Sequence, residues 1–412
     1  MGLLDRFRKR LTPDSFAELL TKRLRAAGEQ SEIVYDAKTF TLHRGGVEAI
    51  TYLGNIFSEY ERADADHREQ VLRTFLATWF TAQLELPAEL DDARPDILAA
   101  VRTRAYFEVG VPLMALLAGG EAPPSDQMAY ADIAGCLAVT PVYDLPTSIR
   151  QLDARDLEAW GVTLYEALEI ARINLTETTR ECAKAGDVYV FAHGDSHDAA
   201  RILLTDLLGS LDVEGETIAM APNRELLLVT GSENEEGLKD MAEMARKSLE
   251  HERGISGTAL RLELGEWAVW LPDASHAAYP ALSLLHAQTL VGEYEQQREL
   301  LTLQQQQQGA DRLFVSSFNA TQDQKTGRVN TYCIWPEGMP ALLPRTDRVV
   351  LSTTGPDGKP SGIVAAAEWG RVEQEVGLRM APVEAYPERW RVESFPGPEE
   401  LARIGMADWA AG

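Results

Sequence analysis

The chain has 412 residues, and its 39 basic and 64 acidic side chains give it a formal net charge of −25. This length exceeds what one ordinary hydrophobic core can bury, so we expect two or three domains. A surface this negative repels phosphate backbones and argues against nucleic-acid binding. The content of 45% hydrophobic residues argues against a mainly disordered chain.

Residues 1–85 predict a helix–hairpin–helix region. Thr12 followed by Pro13 is typical of a helix start, because proline fits the first helical position. Residues 32–46 contain two β-like runs around a polar turn, which predicts a hairpin. Two further helices are expected from the apolar spacing, over 50–60 and 66–84.

The first 25 residues combine seven basic side chains with apolar residues at helical spacing. The apolar residues are Leu3, Leu4, Phe7 and Leu11. We interpret this pattern as a helix that packs its apolar stripe on its own domain. The alternative is weak peripheral membrane contact through residues 1–25.

Residues 86–275 predict a mixed α/β centre, because helical and strand-like segments alternate. The expected elements are a helix from Pro95 to Arg104, a buried strand over 135–145, a helix over 157–176, a strand over 187–193, a helix over 197–210, strands over 215–221 and 225–230, a helix over 234–251, and strands over 257–264 and 266–271. The strand over 135–145 is expected to kink at Pro141.

The last two regions of the chain differ in the secondary structure that they predict. Residues 276–310 predict a helical connector, with a helix over 281–308 that ends in five glutamines, Gln304–Gln308, before Gly309. Residues 311–412 contain short β-like runs separated by turn residues, which predicts a β-rich C-terminal domain. The fold class expected for the whole chain is therefore α+β.

Three features of the sequence indicate where in the cell the protein is located. No run approaches the ~20 apolar residues that a membrane span needs, and no apolar stretch follows Met1 as it would in a signal peptide. The three cysteines, Cys136, Cys182 and Cys333, are far apart and odd in number. They fit neither a disulfide framework nor a metal-ligand pair, so we expect a cytoplasmic protein.

Three blocks in the centre resemble a known family. The blocks are DLEAWGVTLYEALEIARINL (156–175), DVYVFAHGDSHDAARILL (187–204) and IAMAPNRELLLVTGS (218–232). In this order they resemble the YtpQ-like family of uncharacterised bacterial proteins (DUF1444). The resemblance covers roughly residues 1–265. It implies a cytoplasmic bacterial protein, and it supplies no catalytic residues to carry over.

The stretch FAHGDSHDAARILL (191–204) offers four weak candidates for metal ligands, His193, Asp195, His197 and Asp198. Zinc and iron sites use histidine and carboxylate ligands together. However, a turn from a strand into a helix directs these side chains apart, and no further ligand is identifiable elsewhere. We therefore predict no metal site.

The same stretch suggests an alternative chemistry. A Gly-Asp-Ser block that ends in Ser196 resembles the nucleophile block of GDSL-type esterases, and Asp273 and His276 have the Asp-x-x-His spacing of the other two triad members. In that hypothesis His276 takes the proton of Ser196 and Asp273 orients His276. Against it, His197 stands where the block has leucine, and the block lies in the middle of the chain.

The simplest interpretation of the stretch is a helix start. Asp195 or Ser196 would cap the helix through a side-chain oxygen, and Asp198 would lie in the first turn, facing the positive end of the helix dipole. We therefore expect a non-catalytic binding or regulatory module that acts through protein–protein contacts. The partner is not identifiable from the sequence, and no cofactor is predicted.

Overall fold

The structure is a computed structural model that describes residues 11–45, 50–81, 85–145, 148–309, 313–355 and 359–406. It has the mixed α+β architecture that the sequence predicts. The chain divides into two compact units: unit 1 takes its residues from 1–98, 117–120 and 141–174, and unit 2 from 99–116, 121–140 and 175–412. The sequence predicts four regions with other boundaries, and those boundaries stay a prediction.

The α-helices are α1 (Pro13–Ala26), α2 (Gly54–Arg62), α3 (Ala65–Thr81), α4 (Leu90–Ala93), α5 (Val111–Leu117), α6 (Ala154–Trp160), α7 (Leu164–Thr178), α8 (Thr205–Gly209), α9 (Glu235–Leu249), α10 (Tyr279–Gln308), α11 (Trp369–Val376) and α12 (Pro398–Ile404). Short 3₁₀ helices cover Arg94–Asp96, Ser125–Gln127, Asp198–Leu203 and Gly377–Arg379, and a π-helical turn covers Tyr106–Gly110. Within the described residues, none of the helices is long and apolar enough to span a bilayer.

The strands of unit 1 and those that lead into unit 2 are β1 (Ile33–Asp36), β2 (Thr41–Arg44), β3 (Ile50–Tyr52), β4 (Ile97–Thr103), β5 (Ala131–Ile133), β6 (Leu137–Leu145) and β7 (Ser148–Gln151). The strands that follow are β8 (Ala183–Ala185), β9 (Val188–Phe191), β10 (Thr217–Asn223), β11 (Leu226–Gly231), β12 (Leu260–Glu263), β13 (Glu266–Val269), β14 (Phe314–Val315), β15 (Asn319–Gln322), β16 (Val329–Pro336), β17 (Ala341–Pro344), β18 (Arg348–Thr354), β19 (Pro360–Glu368), β20 (Met380–Val383) and β21 (Arg389–Val392).

In unit 1, helix α1 begins where the sequence predicts. The Thr12 hydroxyl accepts a hydrogen bond from the Ser15 amide, with Pro13 in the first turn. Phe16, Leu20 and Leu24 lie in the core of the unit. The apolar face of residues 13–26 therefore packs on its own domain, whereas Leu3, Leu4 and Phe7 of the predicted stripe lie outside the described residues. The residues before Leu11, to which the predicted membrane contact also refers, lie outside the described residues.

The predicted hairpin of unit 1 is confirmed, and a third strand extends it. Strands β1, β2 and β3 form one antiparallel sheet in that order. Helix α2 therefore begins at Gly54, because Ile50–Tyr52 pairs with β2 instead of continuing the predicted helix.

Unit 2 contains a six-stranded antiparallel sheet in the order β13-β12-β10-β11-β9-β8. Helix α9 begins with Asn234, whose side chain accepts a hydrogen bond from the Gly237 amide. Leu238 and Met241 of α9 and Leu282 of α10 pack in one core with residues of β10 and β11. The first turns of α10 are therefore part of a core, and the helix continues through the predicted glutamine run to Gln308.

The C-terminal part of unit 2 has the predicted β-rich texture. Two four-stranded sheets form here, with the orders β14-β17-β21-β20 and β15-β16-β18-β19. Each contains one parallel pair, β14 with β17 and β16 with β18. Trp335, Leu343, Leu351 and Val392 are fully buried in their common core.

Three predicted elements of the centre need correction. The helix expected over 157–176 is two helices, α6 and α7, which Gly161 separates. The helix expected from Pro95 to Arg104 is wrong, since Ile97–Thr103 is strand β4. Every residue from Ile97 to Val101 is buried, and a short apolar run buried on both faces suits a strand as well as a helix. The helix expected over 197–210 is instead a 3₁₀ turn over Asp198–Leu203 followed by α8.

Candidate functional site

The stretch 191–204 turns sharply after strand β9. Gly194 and Ser196 have φ values of 76° and 68°. A left-handed backbone is ordinary for glycine but uncommon for serine, so the surrounding contacts must hold Ser196 there. A 3₁₀ helix then begins at Asp198.

Arg201 is the centre of these contacts and is fully buried. Its guanidinium donates to Asp195 at 2.6 and 3.1 Å and to Asp198 at 3.1 Å, and its Nε donates to the Thr179 hydroxyl at 3.0 Å. We call Arg201, Asp195 and Asp198 the Arg201 network. It pairs a buried cation with two carboxylates, which offsets the cost of taking the charge out of water.

The network also fixes the backbone before Ser196. Asp198 accepts hydrogen bonds from the amides of His193 and Gly194 at 2.8 and 3.2 Å, and it is 2.8 Å from His193 Nδ1. Asp195 accepts from the His197 amide at 2.9 Å. Burial alone would raise the pKa of Asp195, but the hydrogen bonds from Arg201 and the His197 amide outweigh it and lower the pKa to about 2.

These contacts correct the expectation of a helix cap. The residue before the 3₁₀ helix is His197, whose side chain makes no capping hydrogen bond. Asp195 bonds an amide that precedes the helix, because the left-handed turn at Ser196 separates Asp195 from the first helical turn. The polar residues of this stretch therefore serve buried ion pairing instead of helix capping.

The four candidate metal ligands have other contacts. His193, Asp195 and Asp198 belong to or adjoin the Arg201 network, and His197 Nδ1 lies 2.9 Å from the carbonyl oxygen of Ala99. In the part of the chain that the structure describes, no group of three or more His, Cys, Asp or Glu side chains could hold a metal ion.

Within the described residues, the side chains of the alternative catalytic residues do not form hydrogen bonds with one another. Asp273 is exposed, and the His276 amide donates to its carbonyl oxygen at 2.8 Å. His276 Nδ1 accepts from the Ala278 amide at 3.1 Å. Across the described ranges, no hydrogen bond links Ser196 to His276 or the Asp273 carboxylate to the His276 ring.

Ser196 instead contacts an arginine. Its hydroxyl is 3.4 Å from Arg224 Nη2. The same Nη2 is 3.6 Å from Glu225 Oε1, and Arg253 Nη1 is 2.5 Å from that oxygen. Two guanidinium groups thus share one carboxylate oxygen next to the serine.

A third arginine, Arg102 of β4, adds its charge to this pair. Burial lowers the pKa of Arg102, and the charge of Arg253 lowers it further. Burial, followed by the charges of Arg253 and Arg102, lowers the pKa of Arg224 to about 10. We call Arg102, Arg224 and Arg253 the arginine cluster. Among the described residues, the ion pairs of these three arginines involve a single carboxylate, that of Glu225.

Long-range backbone contacts assemble the cluster. Arg224 lies in the turn between β10 and β11, and its amide donates to the Arg253 carbonyl at 3.2 Å while its own carbonyl accepts from the Ala199 amide at 3.2 Å. The Asn223 side chain donates to the Glu252 carbonyl at 2.6 Å. The turn is therefore attached both to the loop after α9 and to the 3₁₀ helix after Ser196.

The bonding of Arg224 is incomplete. Its side chain is only 20% exposed. Within the described residues, its Nε is buried without a hydrogen-bond partner. A buried donor of this kind costs ~1–3 kcal/mol unless something else accepts its hydrogen bond. Donors of this type, with excess positive charge, are suited to bind an oxyanion.

Sequence reasoning did not find the arginine cluster. Arg102 was assigned to a predicted helix, and the other two arginines are 29 positions apart in loops. The signal that the sequence offers is that these basic residues lie beside short turns of an acidic chain. That pattern alone does not identify a site.

No family model, curated protein or solved structure matches this chain.

Proposed function

We propose that this chain is a non-catalytic binding module whose arginine cluster receives a phosphate or carboxylate group of its ligand. The observation that carries the proposal is Arg224, a largely buried guanidinium with an unpartnered Nε and a carboxylate oxygen that it shares with Arg253. An oxyanion would accept the unused hydrogen bonds and reduce the repulsion among the three cations.

The position of Ser196 supports binding over hydrolysis. A serine nucleophile needs a base within hydrogen-bond reach, whereas the Ser196 hydroxyl has an arginine there. A hydroxyl beside guanidinium groups can serve as one more donor to an oxyanion. The Arg201 network supports the same role, because it holds Ser196 in a left-handed conformation that faces the cluster.

We extend the proposal to the source of the ligand and to the location of the chain. The ligand group is presented either by a small molecule or by an acidic residue of a protein partner, which keeps the expected protein–protein contact. We also propose a cytoplasmic location and a relationship to the YtpQ-like family. The location is supported by Cys136, Cys182 and Cys333, which are free thiols.

The test is a titration of the purified chain with inorganic phosphate and, separately, with citrate, by isothermal calorimetry at constant ionic strength. We expect saturable binding of at least one anion. Arg224→Gln should weaken it about tenfold or more, because a charge-assisted hydrogen bond contributes ~1.5–3 kcal/mol. Glu225→Gln should tighten it, because the substitution removes the carboxylate that competes with the anion.

The matched control is Arg246→Gln, which removes an exposed arginine from α9 of the same unit. It should leave anion affinity within about twofold of the wild type, because surface ion pairs contribute little. Equal weakening by Arg224→Gln and Arg246→Gln would reduce the effect to net charge and contradict the proposal. Absence of binding by both anions would contradict it as well. If Arg224→Gln binds an acidic protein partner as tightly as the wild type does, that partner does not supply the anionic group.

A further inference from the structure

A cleft of about 550 Å³ lies in unit 2 between α10 and the C-terminal strands. This volume is in the range of pockets for small organic ligands. One wall is a single face of α10, formed by Tyr279, Ser283, His286 and Leu290. Their spacing of three and four residues puts them on one side of the helix. The cleft shares no lining residue with the arginine cluster.

The helical wall carries no charge at neutral pH. His286 is the titratable imidazole on it, and burial lowers the pKa of that ring. His286 Nδ1 is 3.0 Å from the Thr258 hydroxyl, which fixes the ring. Leu271, Leu290 and Phe318 add apolar surface to the cleft. This side therefore suits the apolar body of a ligand.

The opposite wall is cationic. Arg328, Arg345 and Arg348 line it, with Asp347 and Glu368 as the acidic residues. Asp347 Oδ2 already accepts two hydrogen bonds from Thr331, both at 2.8 Å. Asp347 is thereby held in place by the fold, and the lining contains three arginines against two carboxylates.

One donor at this wall is suited to an anion. Arg345 lies over the Trp369 ring at 4.6 Å, and a carboxylate oxygen of Glu373 is 3.7 Å from its guanidinium. Stacking on a ring leaves the in-plane N–H groups of a guanidinium available at its edges. Trp369 also lines the cleft, but its indole Nε1 is shielded inside the core. The donor available to the cleft is therefore Arg345.

We propose that this cleft is a second binding site, which takes a small amphipathic organic anion. The anionic group lies against Arg345, and the apolar body lies against the face of α10. This site is independent of the arginine cluster and remains if that cluster binds nothing.

The probe for the test is anilinonaphthalene sulfonate, which combines an apolar ring system with one negative charge and fluoresces when it leaves water. A Cβ added at Gly370, which lines the cleft in α11, meets no atom within 4 Å, so Gly370→Met adds a bulky side chain at the cleft without a clash at its Cβ. Arg345→Gln removes the cation. We expect each variant to weaken probe binding at least fivefold.

Two controls match these changes. Gly292→Met makes the same substitution in α10 at a position where an added Cβ also meets no atom within 4 Å, and Gly292 does not line the cleft. Arg298→Gln removes an exposed arginine that pairs with Glu295 on α10. Both should leave probe affinity within about twofold of the wild type, and circular dichroism should show that all four variants are folded.

The outcomes separate the parts of the proposal. No fluorescence gain with the wild type, or affinity unchanged by Gly370→Met, would overturn the site. Weakening by Gly370→Met without weakening by Arg345→Gln would overturn the anionic ligand. Binding that is lost in Arg224→Gln but kept in Gly370→Met would assign the probe to the arginine cluster and overturn the cleft.

Discussion

Arg201 is fully buried and donates hydrogen bonds to two carboxylates, whereas Arg224 is 20% exposed and shares one carboxylate oxygen with Arg253. Both belong to unit 2, and both adjoin the turn at Ser196. In the Arg201 network the one buried cation is bonded at short range to two carboxylates. The arginine cluster is open, with more cations than carboxylates and an unused donor. The comparison distinguishes an arginine that builds the fold from one that is available to a ligand.

A missing carboxylate does not by itself mark a ligand site. Arg389 is also fully buried and has no carboxylate partner among the described residues. However, its guanidinium donates to the carbonyl oxygens of Ser316, Leu342 and Tyr294 and, through Nε, to Gln297. Its donors are satisfied by neutral acceptors, as buried donors usually are. What separates Arg224 is therefore the combination of excess charge and an unsatisfied donor.

The largest effect should come from opening the closed network. Arg201→Gln leaves Asp198, which is fully buried, without its cation. We expect the free energy of unfolding to fall by ~3–5 kcal/mol, the cost of breaking a buried pair. Urea denaturation followed by circular dichroism measures this loss.

A double variant tests the cause of that loss. Arg201→Gln combined with Asp198→Asn should recover part of it, because the buried carboxylate no longer needs a cation. Arg224→Gln should cost far less than Arg201→Gln, because Arg224 makes only long or shared contacts. Equal losses from Arg201→Gln and Arg224→Gln would break the distinction between the two arginines.

Glu293 of α10 extends the comparison to a buried acid. It is 6% exposed; its Oε2 accepts from the Tyr386 hydroxyl at 2.8 Å, and within the described residues its Oε1 has no partner. The groups that face it are Tyr386, the Cys136 thiol and, over the Tyr386 ring, Arg104. Burial raises the pKa of Glu293 to about 7, against the lowering by the Tyr386 hydrogen bond. Protonation of the Glu293 carboxylate, and not a bound ligand, reduces the cost of burying this group.

We predict that the stability of the chain falls as the pH rises, because of Glu293. The pKa of Glu293 is about 7 in the folded chain and 4.5 without the fold, so the folded chain binds the proton more tightly. The contribution of Glu293 is fully present at acidic pH and is lost as the pH rises through 7, a loss of ~3 kcal/mol. Glu293→Gln should remove this dependence and be more stable than the wild type at pH ~8. Denaturant titrations between pH 5 and 8 (roughly the window in which the group ionises) measure it, and parallel wild-type and variant curves would contradict it.

The elements that the sequence predicts well are those that local patterns determine. Thr12 and Pro13 mark the start of α1, and the apolar spacing of α9 and α10 identifies both helices. Strand β4 was missed because an apolar run of five residues fits either a helix or a strand, and burial on both faces decides between them. That burial depends on long-range packing, which a single sequence does not reveal.

The candidate site was predictable only in part. The polar turn of FAHGDSHDAARILL contains Asp195 and Ser196 of the candidate site, yet its interpretation as a helix cap was wrong. A cap is a local motif, whereas Asp195 pairs with an arginine six positions later, inside the core. Arg224 and Arg253 meet through backbone pairing between a hairpin turn and the loop after α9. No local pattern encodes that meeting, so the arginine cluster required the structure.

The smallest effect concerns Ser196, where the comparison between binding and catalysis is most direct. The Ser196 hydroxyl carries no charge of its own, so Ser196→Ala should weaken phosphate binding about fivefold, or ~1 kcal/mol, less than Arg224→Gln does. The wild type should not react with a fluorophosphonate probe, because no base activates the Ser196 hydroxyl. Intact-mass spectrometry measures this, with a known serine esterase as the positive control. A single adduct on the wild type that is absent in Ser196→Ala would establish an activated serine. It would also replace anion binding with the hydrolase alternative, because a nucleophile must be free of the arginine that now contacts it.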